Sequence, residues 1–169
     1  MKRICCILKI SILNWLLSFL PESMSRYVCK FMKISVDSTA LFAQKIYFED
    51  YRSVRVGRDG HINKFTRFYT GRGHGNSVNI GNNVYIGMET TIITTTHEIG
   101  SSEQRCGENI VRPILIEDGA WIGAKSVILP GVTIGKGCII QAGSVVYKDC
   151  KPNCIYGGNP AKMIGVLSQ

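Results

Sequence analysis

The chain of 169 residues has no CxxC pair. Its seven cysteines (Cys5, Cys6, Cys29, Cys106, Cys138, Cys150 and Cys154) are odd in number and irregularly spaced, which argues for reduced thiols in a cytosol. Histidines are scarce: only His61, His74 and His97, with no second histidine a few residues after His97. No metal site is expected from so sparse a set. No basic run is interleaved with aromatics, and no helix-turn-helix or RRM signature is present, so nucleic acid is not the expected partner. The Gly71-Arg72-Gly73-His74-Gly75 stretch lacks the closing Gly-Lys-Ser/Thr of a phosphate cradle. Nor is there a long uninterrupted apolar run. Lys9 breaks residues 4–20, and no small-x-small cleavage site follows. A transmembrane span wants about 20 apolar residues, so neither a span nor a signal peptide is the favoured reading.

What is present is a period of six. From Ile116 onward, Ile116, Ile122, Ile128, Ile134, Ile140 and Val146 recur in one column. Ala120, Ser126, Val132, Cys138, Ser144 and Cys150 recur in the fifth, and the second is often glycine. In an extended chain alternate residues share a face, so the fifth residue of one hexad and the first of the next point the same way. A turn at each hexad boundary aims these pairs at one axis. Three short strands then close a triangular coil of roughly 18 residues, and coils stack as parallel strands. The expected rungs are Ile116 with Ile134, Ile122 with Ile140 and Ile128 with Val146. The small fifth residue leaves room near a corner, and glycine is expected to supply corner dihedrals closed to other residues. The fold is therefore an all-β parallel β-helix. The physics does not give its hand, and the usual crossover rule would favour the right hand.

Taken in order, residues 1–35 read as an N-terminal helical segment and residues 36–169 as the β-helix domain. Lys2 and Arg3 precede an apolar helix on which Ser11, Asn14 and Ser18 form a narrow polar stripe. Such a helix suits a membrane surface or a neighbouring subunit, or it could simply cap the first coil. Pro21-Glu22-Ser23 ends it, and residues 22–34 can form a second helix with Arg26, Lys30 and Lys33 on its polar side. Residues 36–51 look strand-like but irregular. Hexads are traced from Val56 through Ile62 and Phe68, a poor hexad at His74, then Ile80, Ile86 and Ile92. After His97 the columns fail, and a charged loop over about residues 98–115 is expected to extrude from one corner and return to it. Pro152 should break the ladder after about Lys151, leaving a turn and a short closing segment. The net charge of +8 suits an anionic partner such as a phosphorylated cofactor or an anionic membrane.

The ordered set Thr94-Thr95-Thr96-His97, the charged loop, Pro113-Ile114-Leu115-Ile116, Ala120-Trp121-Ile122-Gly123-Ala124, Leu129-Pro130-Gly131-Val132, Ala142-Gly143-Ser144 and Gly158-Asn159-Pro160-Ala161-Lys162 resembles the hexapeptide-repeat acyltransferases. It is similar to the galactoside, maltose and polysaccharide O-acetyltransferases and to the xenobiotic acetyltransferases. The resemblance covers about half the chain. It implies a left-handed β-helix, an acetyl-CoA donor lying between two subunits of a homotrimer, and a sugar hydroxyl acceptor. The apolar, basic N-terminus points to a membrane-proximal acceptor, a surface polysaccharide or its precursor, with the enzyme expected in the cytoplasm or on the inner face of the membrane. His97 would be the general base, the residue type best suited to proton removal near neutral pH. The Ala124 backbone N–H would meet the developing oxyanion. Trp121 would border the thioester, Gly123 and Ala142 the pantetheine arm, and Lys162, with Lys148 as the weaker candidate, the CoA phosphates.

Plainer readings stand beside these. His97 could be a solvated loop-edge histidine, Trp121 outward packing, Gly123 and Ala142 ordinary corner residues, and Lys162 a solvated tail charge. His61 and His74 read as surface or groove-lining. Glu98 follows His97 directly, so the two side chains diverge in an extended segment; no partner orienting His97 is evident. Other functions on the same fold are an antibiotic O-acetyltransferase, a non-catalytic scaffold, and a γ-carbonic anhydrase, which needs three metal-binding histidines. A serine acetyltransferase would carry a much longer helical N-terminal domain.

Overall fold

A computed structural model of the chain describes residues 2–19, 21–31, 34–73 and 77–168. Residues 74–76 of the hexad expected at His74 lie outside the described residues; its end leads into Val78–Ile80, the strand that follows Arg67–Tyr69 in the rotation. Three parallel sheets form the faces of a triangular prism, and the chain visits them in strict rotation. The first face stacks Ser35–Val36, Val54–Val56, Val78–Ile80, Ile114–Ile116 and Thr133–Ile134. The second stacks Leu41–Phe42, His61–Ile62, Tyr85–Ile86, Trp121–Ile122, Ile139–Ile140 and Cys154–Gly157. The third stacks Tyr47–Phe48, Arg67–Tyr69, Thr91–Ile93, Val127–Ile128 and Val145–Val146. Ile116 pairs with Ile134, Ile122 with Ile140 and Ile128 with Val146.

The first-column residues fill the axis: Phe42, Phe48, Ile62, Phe68, Ile86, Ile92, Ile116, Ile122 and Ile128 are all fully buried. Each such side chain contributes ~1.5–3 kcal/mol through burial. Phe48 and Phe68 stack in parallel, ring centroids 5.0 Å apart. The fifth column does more than leave room. The hydroxyls of Thr66, Thr90, Ser126 and Ser144 donate to the carbonyls of Asn63, Gly87, Gly123 and Gln141, each three residues earlier. These buried bonds satisfy corner carbonyls that the strands leave open. Cys138 and Cys150 share this column, both buried. Burial also pushes the Cys29 thiol up to about 12, so it stays protonated.

The second-column glycines have a different role from the one expected. Left-handed dihedrals fall instead on the fourth residue of each corner, and non-glycine residues hold many of them: Lys45 (φ 60°), Phe65 (63°), Glu89 (59°) and Lys125 (59°). Second-column glycine is needed for close approach. A Cβ on Gly87 would lie 2.5 Å from the Ala124 nitrogen, and one on Gly123 would strike the Ala142 nitrogen.

The regular coils begin earlier than residue 56. Val36, Phe42 and Phe48 occupy one full turn, paired with the next through Val36–Val56, Phe42–Ile62 and Phe48–Phe68. A short 3-10 turn, Tyr51–Ser53, lengthens its last corner and hides the register. At the other end the ladder passes Pro152. Cys154–Gly157 adds a parallel strand on Ile139–Ile140, and Lys162–Val166 folds back antiparallel against it.

Two helices, α1 (Lys2–Phe19) and α2 (Glu22–Phe31), cover the open end of the first coil. Ile10, Leu13, Leu17 and Cys29 join the same core as the coils. Asn14 is not part of a solvent-facing polar stripe. Its side-chain Nδ2 donates to the Phe48 carbonyl and its Oδ1 accepts from the Phe48 N–H, both at 2.9 Å. One amide thus replaces the strand missing beneath Phe48, where an unpaired edge would otherwise lie. Asn14→Ala should strip both partners from the Phe48 backbone and lower stability by ~1–3 kcal/mol. Thermal unfolding checks this against Ser11→Ala, an exposed neighbour that should melt as wild type does.

Candidate functional site

The corners of the prism differ in what they do with the N–H of their third residue. At the edge between the first and second faces, polar side chains capture it. Asn82 N–H donates to Asp118 Oδ1 (2.7 Å), Lys136 N–H to Glu117 Oε2 (2.8 Å) and Arg58 N–H to Asn82 Oδ1 (2.9 Å). These backbone and amide donors hold the Asp118 carboxyl below the usual carboxylate range. At the edge between the second and third faces Lys64 N–H likewise donates to Asn63 Oδ1 (2.8 Å), but on the next three coils Met88, Ala124 and Ala142 occupy the equivalent position. Their N–H groups have no partner among the described residues. Gly87 and Gly123 precede two of them and offer no side chain that could reach back.

These open N–H groups line a groove of about 520 Å³ together with Trp121, Gly123, Tyr85 and Gln141. Trp121 stands 53% exposed on the second face, part of an outward ladder running Leu41, His61, Tyr85, Trp121, Ile139, Ile155. His61 stacks on Tyr85 at 4.8 Å, and Asn63 Nδ2 donates to the Tyr85 hydroxyl at 3.0 Å. The groove therefore gathers Trp121, Gly123, Ala124 and Ala142. Its walls are largely apolar, and the polar groups at its lining residues include the open N–H groups of Met88, Ala124 and Ala142. Such a surface suits a thin, flexible chain carrying a carbonyl where charge can develop.

His97 stands elsewhere. The segment after Thr94 is an antiparallel hairpin of Thr95–Ile99 and Cys106–Val111, not a patternless loop over residues 98–115. His97 lies within its first strand, paired with Asn109, rather than at a coil corner. The hairpin leaves the edge between the third and first faces and returns to it: Arg112 N–H donates to the Thr94 carbonyl at 2.8 Å. No residue of the hairpin lines the Trp121–Ala124 groove. One chain thus presents the imidazole and the groove on different edges of its prism.

The hairpin also orients the ring. His97 Nδ1 lies 3.0 Å from the Gly107 carbonyl oxygen. A carbonyl only accepts, so Nδ1 carries the hydrogen and the neutral ring keeps its lone pair on Nε2. Gly107 sits at a bulge in the hairpin, where a Cβ would lie 2.8 Å from the Glu98 carbonyl oxygen. A lone glycine inside a strand signals a close backbone approach. That signal was present in Cys106-Gly107-Glu108 and identifies the orienting partner that sequence reasoning missed. Glu98 itself takes no part in holding the ring.

Near the hairpin root, Asp50 and Glu49 brace the preceding corners. Glu49 accepts from Gly71 N–H at 2.9 Å, and Asp50 from Gly73 N–H at 3.1 Å and from the Arg52 side chain. Burial pushes the Asp50 carboxyl up, but the bonds from Arg52 and Gly73 outweigh it and hold it below the usual range. Lys162 is exposed and pairs with Gly157, which packs over Gln141 at the end of the groove. Lys148 lies at the edge between the third and first faces, its Nζ 5.3 Å from the Tyr147 ring centroid, and does not line the groove. Among the described residues no cluster of His, Cys, Asp or Glu could hold a metal.

Known proteins share this architecture. Residues 113–148 match the bacterial transferase hexapeptide family, a domain of six repeats. A galactoside O-acetyltransferase of Escherichia coli is 35% identical over 138 residues, 80% of this chain and 64% of that protein. One from Lactococcus lactis is 40% identical over 81 residues, 48% of this chain and 39% of that protein. The chain spans about half the length of the curated relatives it matches. Among solved structures, a hexapeptide-repeat acetyltransferase from Vibrio cholerae superposes with a TM-score of 0.85 at 26% identity, covering 100% of this chain and 94% of that one. The same protein has been solved with acetyl-CoA, with a TM-score of 0.76 at 28% identity, covering 95% of this chain and 86% of that one. The rungs, the matched repeat and these likenesses together show a hexapeptide-repeat β-helix in this chain, similar in sequence to a galactoside O-acetyltransferase and in fold to a hexapeptide-repeat acetyltransferase.

Proposed function

We propose that this protein is an acetyl-CoA-dependent O-acetyltransferase whose acceptor is a sugar hydroxyl of a surface polysaccharide or its precursor. The observation that carries the reading is the Nδ1–Gly107 contact, which leaves Nε2 of an exposed imidazole free to accept a proton. Nε2 of His97 takes the acceptor hydroxyl proton as that oxygen attacks the thioester carbonyl carbon. The oxyanion faces the N–H of Ala124. Collapse breaks the carbon–sulfur bond, and the departing thiolate takes the proton back from the imidazolium. Trp121 borders the reacting end, Gly123 and Ala142 floor the pantetheine arm, and Lys162 faces the phosphates. Lys148 is the weaker phosphate candidate because it stands off the groove. The acetyl-CoA-bound likeness from Vibrio cholerae supports the donor, and the two galactoside O-acetyltransferases support the acceptor class.

The assembly that fits this chemistry is a homotrimer of left-handed β-helices. Each copy would bring its His97 hairpin to the groove of its neighbour, since one chain holds the two on separate edges. The outward Tyr85–Trp121–Ile139 ladder, with Tyr85 and Trp121 exposed, supports such a contact.

The test measures thiol release from acetyl-CoA against a panel of sugars and glycans, with mass spectrometry of the products. A gain of one acetyl group on a glycan hydroxyl supports the reading. Turnover confined to antibiotics would move the assignment to the xenobiotic branch. No turnover with intact thioester binding would make the protein a scaffold.

A further inference from the structure

Helix α1 is apolar on two sides. The inner side, Ile10, Leu13 and Leu17, is in the core. The outer side carries Leu8, Ile12, Trp15 and Phe19 at spacings of four, three and four, with exposures of 60, 44, 64 and 71%. Trp15 and Phe19 lie against each other, ring centroids 5.7 Å apart. The Asn14 clamp on Phe48 fixes the helix's rotation, so this stripe cannot turn inward. Ser18 does not dilute it either, because its hydroxyl donates to the Asn14 carbonyl. Helix α2 exposes Met24, Tyr27 and Phe31 on one face, Phe31 at 83%.

Charge is concentrated in the same segment. Residues 1–33 hold six Lys and Arg against the single acid Glu22, whereas the rest of the chain holds fourteen against eleven. Lys9 and Lys30 are exposed next to the apolar stripes. Among the described residues no helix is long and apolar enough to cross a membrane.

We propose that the two helices form a docking face for an anionic lipid bilayer, lying in its interface rather than crossing it. Aromatic and aliphatic side chains at the head-group level, flanked by lysines, are the chemistry such a surface binds. The basic excess of the segment is what an anionic leaflet attracts. Contact with a second copy fits less well, because lysine is depleted at interface cores and a patch meeting its own copy would bring like charges together. The inference does not depend on the reaction.

Deleting residues 1–20 would remove Leu13 and Leu17 from the core, so outward substitutions make the cleaner test. The full chain is sedimented with vesicles of phosphatidylcholine containing about a third phosphatidylglycerol, and with phosphatidylcholine alone. The wild type should pellet with the anionic vesicles and be released as salt rises. Trp15→Ser with Phe19→Ser should weaken that partitioning at least about tenfold, with melting temperature and light-scattering mass unchanged. Lys9→Gln with Lys30→Gln should weaken binding to the anionic vesicles by about fivefold or more. A wild type that stays in the supernatant overturns the proposal, as does equal binding to both vesicle types. A fall in mass of the Trp15/Phe19 variant also overturns it and assigns the stripe to a subunit contact.

Discussion

Replacing His97 with alanine should lower kcat about 10²- to 10⁴-fold while CoA affinity stays within about twofold. An unassisted acceptor hydroxyl is a poor nucleophile near neutral pH, and no other described side chain shares the hairpin position with a free basic nitrogen. The Nδ1 bond to Gly107 is what makes the loss specific. It holds the ring by Nδ1, so that Nε2 is the nitrogen left to meet the proposed acceptor. CoA affinity should be spared because the proposed donor groove is lined by Trp121, Ala124 and Ala142 with no hairpin residue of the same chain, and a neighbour's imidazole would meet only its reacting end. Steady-state turnover and calorimetric CoA binding separate the two effects. Wild-type turnover in the variant would remove His97 from the chemistry, and lost CoA binding would make it part of the donor site.

The second prediction concerns where the two halves of the site come from. Ala142 is exposed in the groove, so Ala142→Trp should fill it without touching the core. Each variant alone, His97→Ala or Ala142→Trp, should fall to about a hundredth of wild-type activity or less. Co-refolding them in equal amounts should restore about a quarter of wild-type activity. A copy with an intact His97 but a blocked groove then sits beside a copy with an open groove and no imidazole. That neighbour pair regains one complete site. If both halves came from the same chain, every mixed oligomer would stay inactive. Turnover measured as a function of mixing ratio distinguishes the cases.

Much of this molecule was legible from its columns. The rungs at Ile116, Ile122 and Ile128 follow from counting, because a coil of fixed length puts each residue above its equivalent one turn earlier. The first coil escaped notice for a local reason. Phe42 and Phe48 fill the column that isoleucine fills elsewhere, and the inserted turn at Tyr51–Ser53 displaces the count. Second-column glycine was visible but misread. Its spacing said that something small was required, and only the stacked corners reveal that the obstacle is the backbone of the next coil.

The repeat alone determined the prism, its core column and the small residues under its corners, because those properties depend on neighbours at a constant separation along the chain. Tertiary structure decided the rest: that Asn14 stands in for a strand beneath Phe48, that Gly107 aims the His97 ring, and that the imidazole and the open N–H groups occupy different edges. Each of these joins positions whose separation follows no period, so no column could announce it. They exist only once the coils are stacked and the hairpin has left its edge.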